Sequence, residues 1–382
     1  MERLYSLQGL RGAAVLGVVL FHMASVEAKY SGGDLLLPAL VNFFQLGVDL
    51  FFVISGFVMV IVTRGRFQNA VQTRRFVFNR LSRIYPNYWL YFFITLGVTL
   101  AMPGVVNTSH GSSNLLMSFL LLPNDRVLLV MVAWSLVFEL WFYLVFTGLL
   151  FFREKHLPVL LALWAIGLVA FNGLANWQDF NPALKIMLHP YALEFITGSA
   201  LALFFYSKHS AKVPTPWVWT TLLIALLAGF PLIYGYKLFF AEGLVRMLSV
   251  GLVFGAVVGS LALLERRKLI RVPAFLVFTG DMSYTIYLSH LLVLGVIGHL
   301  WQRVGAWPDS PWDNALFLLL MMAAVLCYGA LAYRFFEKPV LDWATAYCAR
   351  TFAVSPRRPQ TDSAKGLAAP DSGRRHRVRL LE

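Results

Sequence analysis

Apolar runs about 20 residues long recur along the whole chain, separated by short polar stretches. A helix needs about that many residues to cross the hydrocarbon of a bilayer, and lipid admits only helices or closed barrels. The pattern predicts about ten spans, at 9–27, 39–63, 84–102, 129–151, 157–174, 184–206, 216–235, 243–264, 273–299 and 315–336. The expected fold class is therefore all-α, a polytopic integral membrane protein. Residues 1–340 form the membrane domain, and residues 341–382 form a basic, largely disordered tail rich in Pro, Ser, Arg and Lys.

Composition agrees. Of 382 residues, 59% are hydrophobic and only 13% are charged, where a soluble domain has about 25% charged. The net charge of +13 is of a size that nucleic-acid binders show, but its distribution argues against nucleic acid. Arg64, Arg66, Arg74, Arg75, Arg80 and Arg83 lie between the second and third expected spans. Arg153 and Lys155 follow the fourth, Lys208 and Lys212 the sixth, and Arg266, Arg267, Lys268 and Arg271 the eighth. The alternate connections are poor in Lys and Arg, so the positive-inside rule puts both termini in the cytoplasm. The first span looks like a signal peptide, but its leader is nearly neutral and an uncleaved span is expected. Cys327 and Cys348 suggest neither a disulfide framework nor zinc, and no metal site is expected. Arg374, Arg375 and Arg377 in the tail suit anionic lipid.

Ionisable groups inside spans are expensive and point to function. Arg11 and His22 are eleven residues apart in the first span, on nearly one helical face and roughly 16 Å apart along the axis. Asp49 sits in an apolar second span six residues before Ser55, and Gly56 beside it can permit close helix packing. In the fourth span Ser135, Glu139 and Tyr143 are at i, i+4 and i+8, one polar stripe. Estimated depths place His22, Asp49 and Glu139 in a common layer in the outer half of the bilayer. Arg80 and Arg83, at i and i+3, can face one phosphate-bearing ligand. In the ninth span Ser283, Tyr287 and His290 share a face. Glu337-Lys338-Pro339 reads as a helix stop.

These segments together resemble the acyltransferase-3 family of membrane O-acyltransferases, especially its bacterial branch that modifies exopolysaccharides. The resemblance rests on Gln8-Gly9-Leu10-Arg11-Gly12 with His22, Gly47-Val48-Asp49 through Ser55-Gly56-Phe57, Arg80-Leu81-Ser82-Arg83, Trp134-Ser135-Leu136 with Glu139, Tyr284 to His290, and Glu337-Lys338-Pro339, in that order. It implies a ten-helix fold in the bacterial inner membrane. It also implies an acyl-CoA donor (acetyl-CoA by default), no permanently bound cofactor, and a hydroxyl acceptor on a cell-surface or lipid-linked polysaccharide. Small-molecule acceptors such as macrolides also occur in the family.

Transfer of an acyl group from a thioester to a hydroxyl needs a base, and imidazole suits that task near neutral pH. His22 is expected as the base, oriented by Glu139 or Asp49. Arg11, Arg80 and Arg83 are expected on the donor phosphates. Ser55, Ser135, Tyr143, Tyr287 and His290 are further candidates. An acyl-enzyme route through His22 is equally allowed. A proton-coupled transporter would also carry buried Asp, Glu and His, but no inverted repeat is visible. The sequence leaves the oligomeric state open.

Overall fold

The computed structural model describes residues 3–31, 35–102, 113–174, 180–304 and 311–352, and every regular element among them is helical. The helices are α1 (Tyr5–Tyr30), α2 (Gly47–Thr63), α3 (Ala70–Ala101), α4 (Leu115–Leu120), α5 (Trp134–Leu149), α6 (Leu157–Leu174), α7 (Pro182–Leu188) and α8 (Ala192–Phe205). They continue with α9 (Lys208–Lys212), α10 (Thr215–Ile224), α11 (Phe230–Gly235), α12 (Leu244–Arg266), α13 (Ala274–Asp281), α14 (Ser283–Val304), α15 (Pro311–Ala332) and α16 (Lys338–Thr351). Among the described residues nine helical stretches are long and apolar enough to cross a membrane. Each overlaps one of nine expected spans, although the expected span 273–299 is broken at Met282 into α13 and α14. The remaining one, at 84–102, is the apolar half of α3.

α3 is longer than expected. Its helix begins at Ala70, capped by the Asn69 side chain on Gln72 N at 3.1 Å, and Pro86 lies inside it. Arg80 and Arg83 are therefore helical, one turn before the apolar segment, rather than in a connection. The end of the chain also differs. Glu337-Lys338-Pro339 does not stop the helix, because a wide π turn over Tyr333–Glu337 leads directly into α16. Pro339 occupies the first turn after that π segment, where a missing N–H is tolerated. The ordered helix thus runs to Thr351, past the expected boundary at 340, and the tail from 353 lies outside the described residues.

Contacts between helices fix their relative directions. Glu265, at the end of α12, accepts from the Tyr5 and Ser6 backbone N–H groups at 2.7 and 2.8 Å. This supplies the carboxylate cap that the first turn of α1 lacks. Arg11 meets Ser283 and Tyr30 meets His299, so α1 and α14 run parallel. Asn87 and Thr285 both meet Glu337, and Asp49 near the start of α2 meets Arg246 near the start of α12. α12 runs against α1.

Glycine lets α2 and α8 touch backbone to backbone. A Cβ on Gly198 would lie 1.9 Å from the Val53 carbonyl oxygen, and one on Gly56 would lie 1.9 Å from that of Phe195. Ser199 seals the crossing with a 3.1 Å bond to the Gly56 carbonyl. Gly198→Ala should therefore push the helices apart and destabilise the fold by about 1–3 kcal/mol. The check is the melting temperature of the detergent-purified variant; an unchanged value would mean that the crossing yields without strain.

Candidate active site

α1, α2, α3, α5 and α14 line one cleft, to which α1 contributes Arg11. The expected donor arginines Arg11, Arg80 and Arg83 all line it, as do Glu139, Ser55, Ser135, Tyr143 and Tyr287. Residues from five helices converge because each presents one polar stripe to the same space. The stripe Ser135–Glu139–Tyr143 faces inward on α5, and Ser283 and Tyr287 do so on α14.

The polar groups of the cleft are knit together. Oε1 of Glu139 accepts from the Ser55 hydroxyl at 3.2 Å and from the Tyr143 hydroxyl, tying α2 to α5. The Arg80 guanidinium sits 5.8 Å from the centre of the Tyr143 ring and 5.8 Å from that of Phe76, within cation–π range. Arg11 donates to Ser283 Oγ at 3.0 Å and to Gln8 Oε1 at 3.3 Å. Three guanidiniums against one carboxylate give the cleft a positive excess, with donors arranged to suit phosphate oxygens. Sequence reasoning singled out Ser283 only as part of a stripe; its role is to hold Arg11.

The histidine pair lies one turn further on, with His290 on α14 and His22 facing it from α1. Tyr287 lines the cleft, and its ring is 6.0 Å from that of His290. The Tyr287 hydroxyl donates to the Val132 carbonyl at 2.8 Å, and the Ser135 hydroxyl lies 2.8 Å from it. With the Tyr287 proton given to the Val132 carbonyl, the Ser135 hydroxyl donates to the Tyr287 oxygen. His22 Nδ1 lies 2.9 Å from the Val18 carbonyl and 3.3 Å from His290 Nε2. His290 is fully buried, and its Nδ1 lies 2.8 Å from the Tyr287 carbonyl. A carbonyl oxygen only accepts, so Nδ1 of each ring carries the proton. In the neutral rings Nε2 is then the basic nitrogen, and for His22 no bond from the described residues occupies it.

Two expectations need correction. Neither Glu139 nor Asp49 orients His22. Glu139 belongs with the arginines, through Ser55 and Tyr143. Asp49 is buried against Arg246 at 2.8 Å, the third residue of α12, with buried Glu194 on the neighbouring α8. A common depth did not imply contact, because depth says nothing about which helices are neighbours. Arg246 itself went unrecognised, although a lone arginine inside an apolar run signals a buried carboxylate partner. Glu337, read as part of a helix stop, is buried and bonded by Thr285 and by Asn87 at 3.3 Å. It joins the donor helix α3 to α14.

A family model described as an acyltransferase domain, acyltransferase-3, matches residues 4–334. The chain is 32% identical to the exopolysaccharide production protein ExoZ of Rhizobium meliloti (strain 1021), over 77% of this chain and 89% of that protein. It is 24% identical to the peptidoglycan O-acetyltransferase OatA of Listeria monocytogenes, over 88% of this chain and 55% of that protein. It is 21% identical to a putative O-acetyltransferase of Staphylococcus aureus (strain MRSA252), over 91% of this chain and 60% of that protein. The chain thus spans little more than half the length of these last two relatives. No solved structure matches it.

Proposed function

Because the chain belongs to the acyltransferase-3 family, whose model covers residues 4–334, we propose that it moves an acyl group, acetyl by default, from cytoplasmic acyl-CoA to a polysaccharide hydroxyl. The acceptor is a cell-surface or lipid-linked glycan, in keeping with the exopolysaccharide production relative. In this reading, which rests on the positive-inside rule, both termini lie in the cytoplasm of a bacterial inner-membrane protein, and the arginines face the compartment where acyl-CoA is found. The observation that carries the reading is the convergence of Arg11, Arg80 and Arg83 on one cleft, whose lining residue Tyr287 stands against His290, the partner of His22. Anionic phosphates are held at one end and a free imidazole nitrogen waits beyond the other.

Arg11 and His22 mark those two ends. Their contacts to α14 are at Ser283 and His290, about 10 Å apart along that helix. The pantetheine arm of CoA reaches along this line from the arginines toward His22. His22 Nε2 takes the proton of the acceptor hydroxyl as its oxygen attacks the thioester carbonyl. The carbon–sulfur bond then breaks, and the CoA thiolate leaves with the proton from His22. The sum is one ester and one thiol, with no net proton released.

Glu139 offsets part of the arginine charge and fixes the Ser55–Tyr143 wall. Asp49 has a structural role in this scheme. Each guanidinium that meets a phosphate is worth about 1.5–3 kcal/mol. Arg80→Ala and Arg83→Ala should each raise the KM for acetyl-CoA by roughly tenfold or more, with a smaller effect on turnover at saturation. Steady-state kinetics in proteoliposomes checks this. An unchanged KM in both would leave the arginines a purely topological role.

A further inference from the structure

We infer that His290 is a positioning residue that orients His22 and shares its charge during transfer. The inference rests on the acyl-transfer reading above. It starts from an inventory of bonds. His290 Nδ1 is committed to backbone carbonyls, at 2.8 Å to Tyr287 and 3.1 Å to Ile286. That fixes the ring and leaves the lone pair of Nε2 pointing at His22 Nδ1, 3.3 Å away. The His22 Nδ1–H is therefore shared between the Val18 carbonyl at 2.9 Å and this lone pair. The result is that His22 Nε2, and no other nitrogen of the pair, is presented unprotonated and unbonded.

The same bonds support the step. When His22 Nε2 takes the acceptor proton, the ring becomes a cation with Nδ1–H already aimed at a neutral base. The hydrogen bond becomes charge-assisted and strengthens as the charge develops. When the thiolate of CoA collects the proton from Nε2, the ring returns to neutral and the bond relaxes. A carboxylate would perform the same orientation in a soluble triad. Inside a membrane a second imidazole orients the base without burying a charge in the resting state, which is expensive in a low-dielectric site. The neighbours agree. His290 is fully buried and stands behind the cleft-lining Tyr287, so it has no direct access to the reactants and acts only through His22.

The test separates an acceptor at Nε2 from mere packing. His290→Leu removes the acceptor at similar bulk, and His290→Gln restores an oxygen near the position of Nε2. Acetyl transfer from radiolabelled acetyl-CoA is measured for both in proteoliposomes, with ¹⁵N NMR of the histidine rings of the wild type. The His22 signals are identified by their loss in His22→Asn. His290→Leu should lower kcat by about 100-fold with the KM for acetyl-CoA within twofold, and His290→Gln should regain most of it. The wild-type spectrum should show His22 protonated at Nδ1 and bare at Nε2. Equal activity of the Leu and Gln variants, or His22 protonated at Nε2, overturns the inference. Full activity of His22→Asn would instead overturn the base assignment beneath it, while leaving the spectrum to report on the pair.

Discussion

Replacing His22 by alanine should lower acetyl transfer by roughly 10²–10⁴-fold, the usual worth of a positioned general base, while the protein still reaches the membrane. The side chain is only half-buried, and its bonds are one backbone carbonyl and one ring, so its removal leaves no buried charge unpaired. Fold and catalysis therefore separate cleanly at this position. His22→Asn serves as a second variant, since it keeps a polar group near Nδ1 and lacks the base nitrogen. Membrane abundance and the acetyl content of the surface polysaccharide are measured side by side. Near-normal acetylation by either variant at normal abundance would remove His22 from the chemistry.

Arg246→Met should be the most destabilising single change in the bundle. It strands Asp49, whose side chain is 2% exposed, beside the equally buried Glu194, and breaking a buried pair from one side costs about 3–5 kcal/mol. Arg246 also lies 5.5 Å from the centre of the Tyr191 ring, so the loss extends to α8. Replacing both members, Asp49→Leu with Arg246→Met, should recover much of the stability, because apolar substitutes for a buried pair are often neutral or better. Melting temperature in detergent measures both effects, and acetyl transfer is assayed on the double variant. If the double variant is stable yet inactive, Asp49 returns to the list of catalytic groups.

How legible the site was in the sequence follows from what each signal encodes. Hydropathy gives the spans because lipid imposes it on every one of them, and nine of the expected ten met that test. Periodicity gives the inward stripes, and so Ser135, Glu139 and Tyr143 arrive together in the cleft with Arg80 and Arg83. Lateral order is another matter. Glu139 and His22 are both polar and at comparable estimated depth, yet one bonds to Ser55 of α2 and the other to His290 of α14. No local pattern states which helices are neighbours. The partner of Asp49 lies 197 residues away, and its sign alone marks it. The π turn at Tyr333–Glu337 was hidden for a related reason. Pro339 is a helix breaker by local rules, and only the packed bundle, with Glu337 held by Thr285 and Asn87, carries the helix past it.

The rival for a chain with buried ionisable groups in a bundle of spans is a transporter that moves protons with its cargo. One measurement separates the two and tests the central claim. The purified protein is placed in proteoliposomes with acetyl-CoA labelled in the acetyl group on the arginine side and alkali-deacetylated host polysaccharide on the other. Acyl transfer predicts label in alkali-labile ester on the polysaccharide, one free thiol of CoA per ester formed, and loss of both with His22→Ala. Label that stays on CoA, together with proton uptake that His22→Ala abolishes, would contradict it.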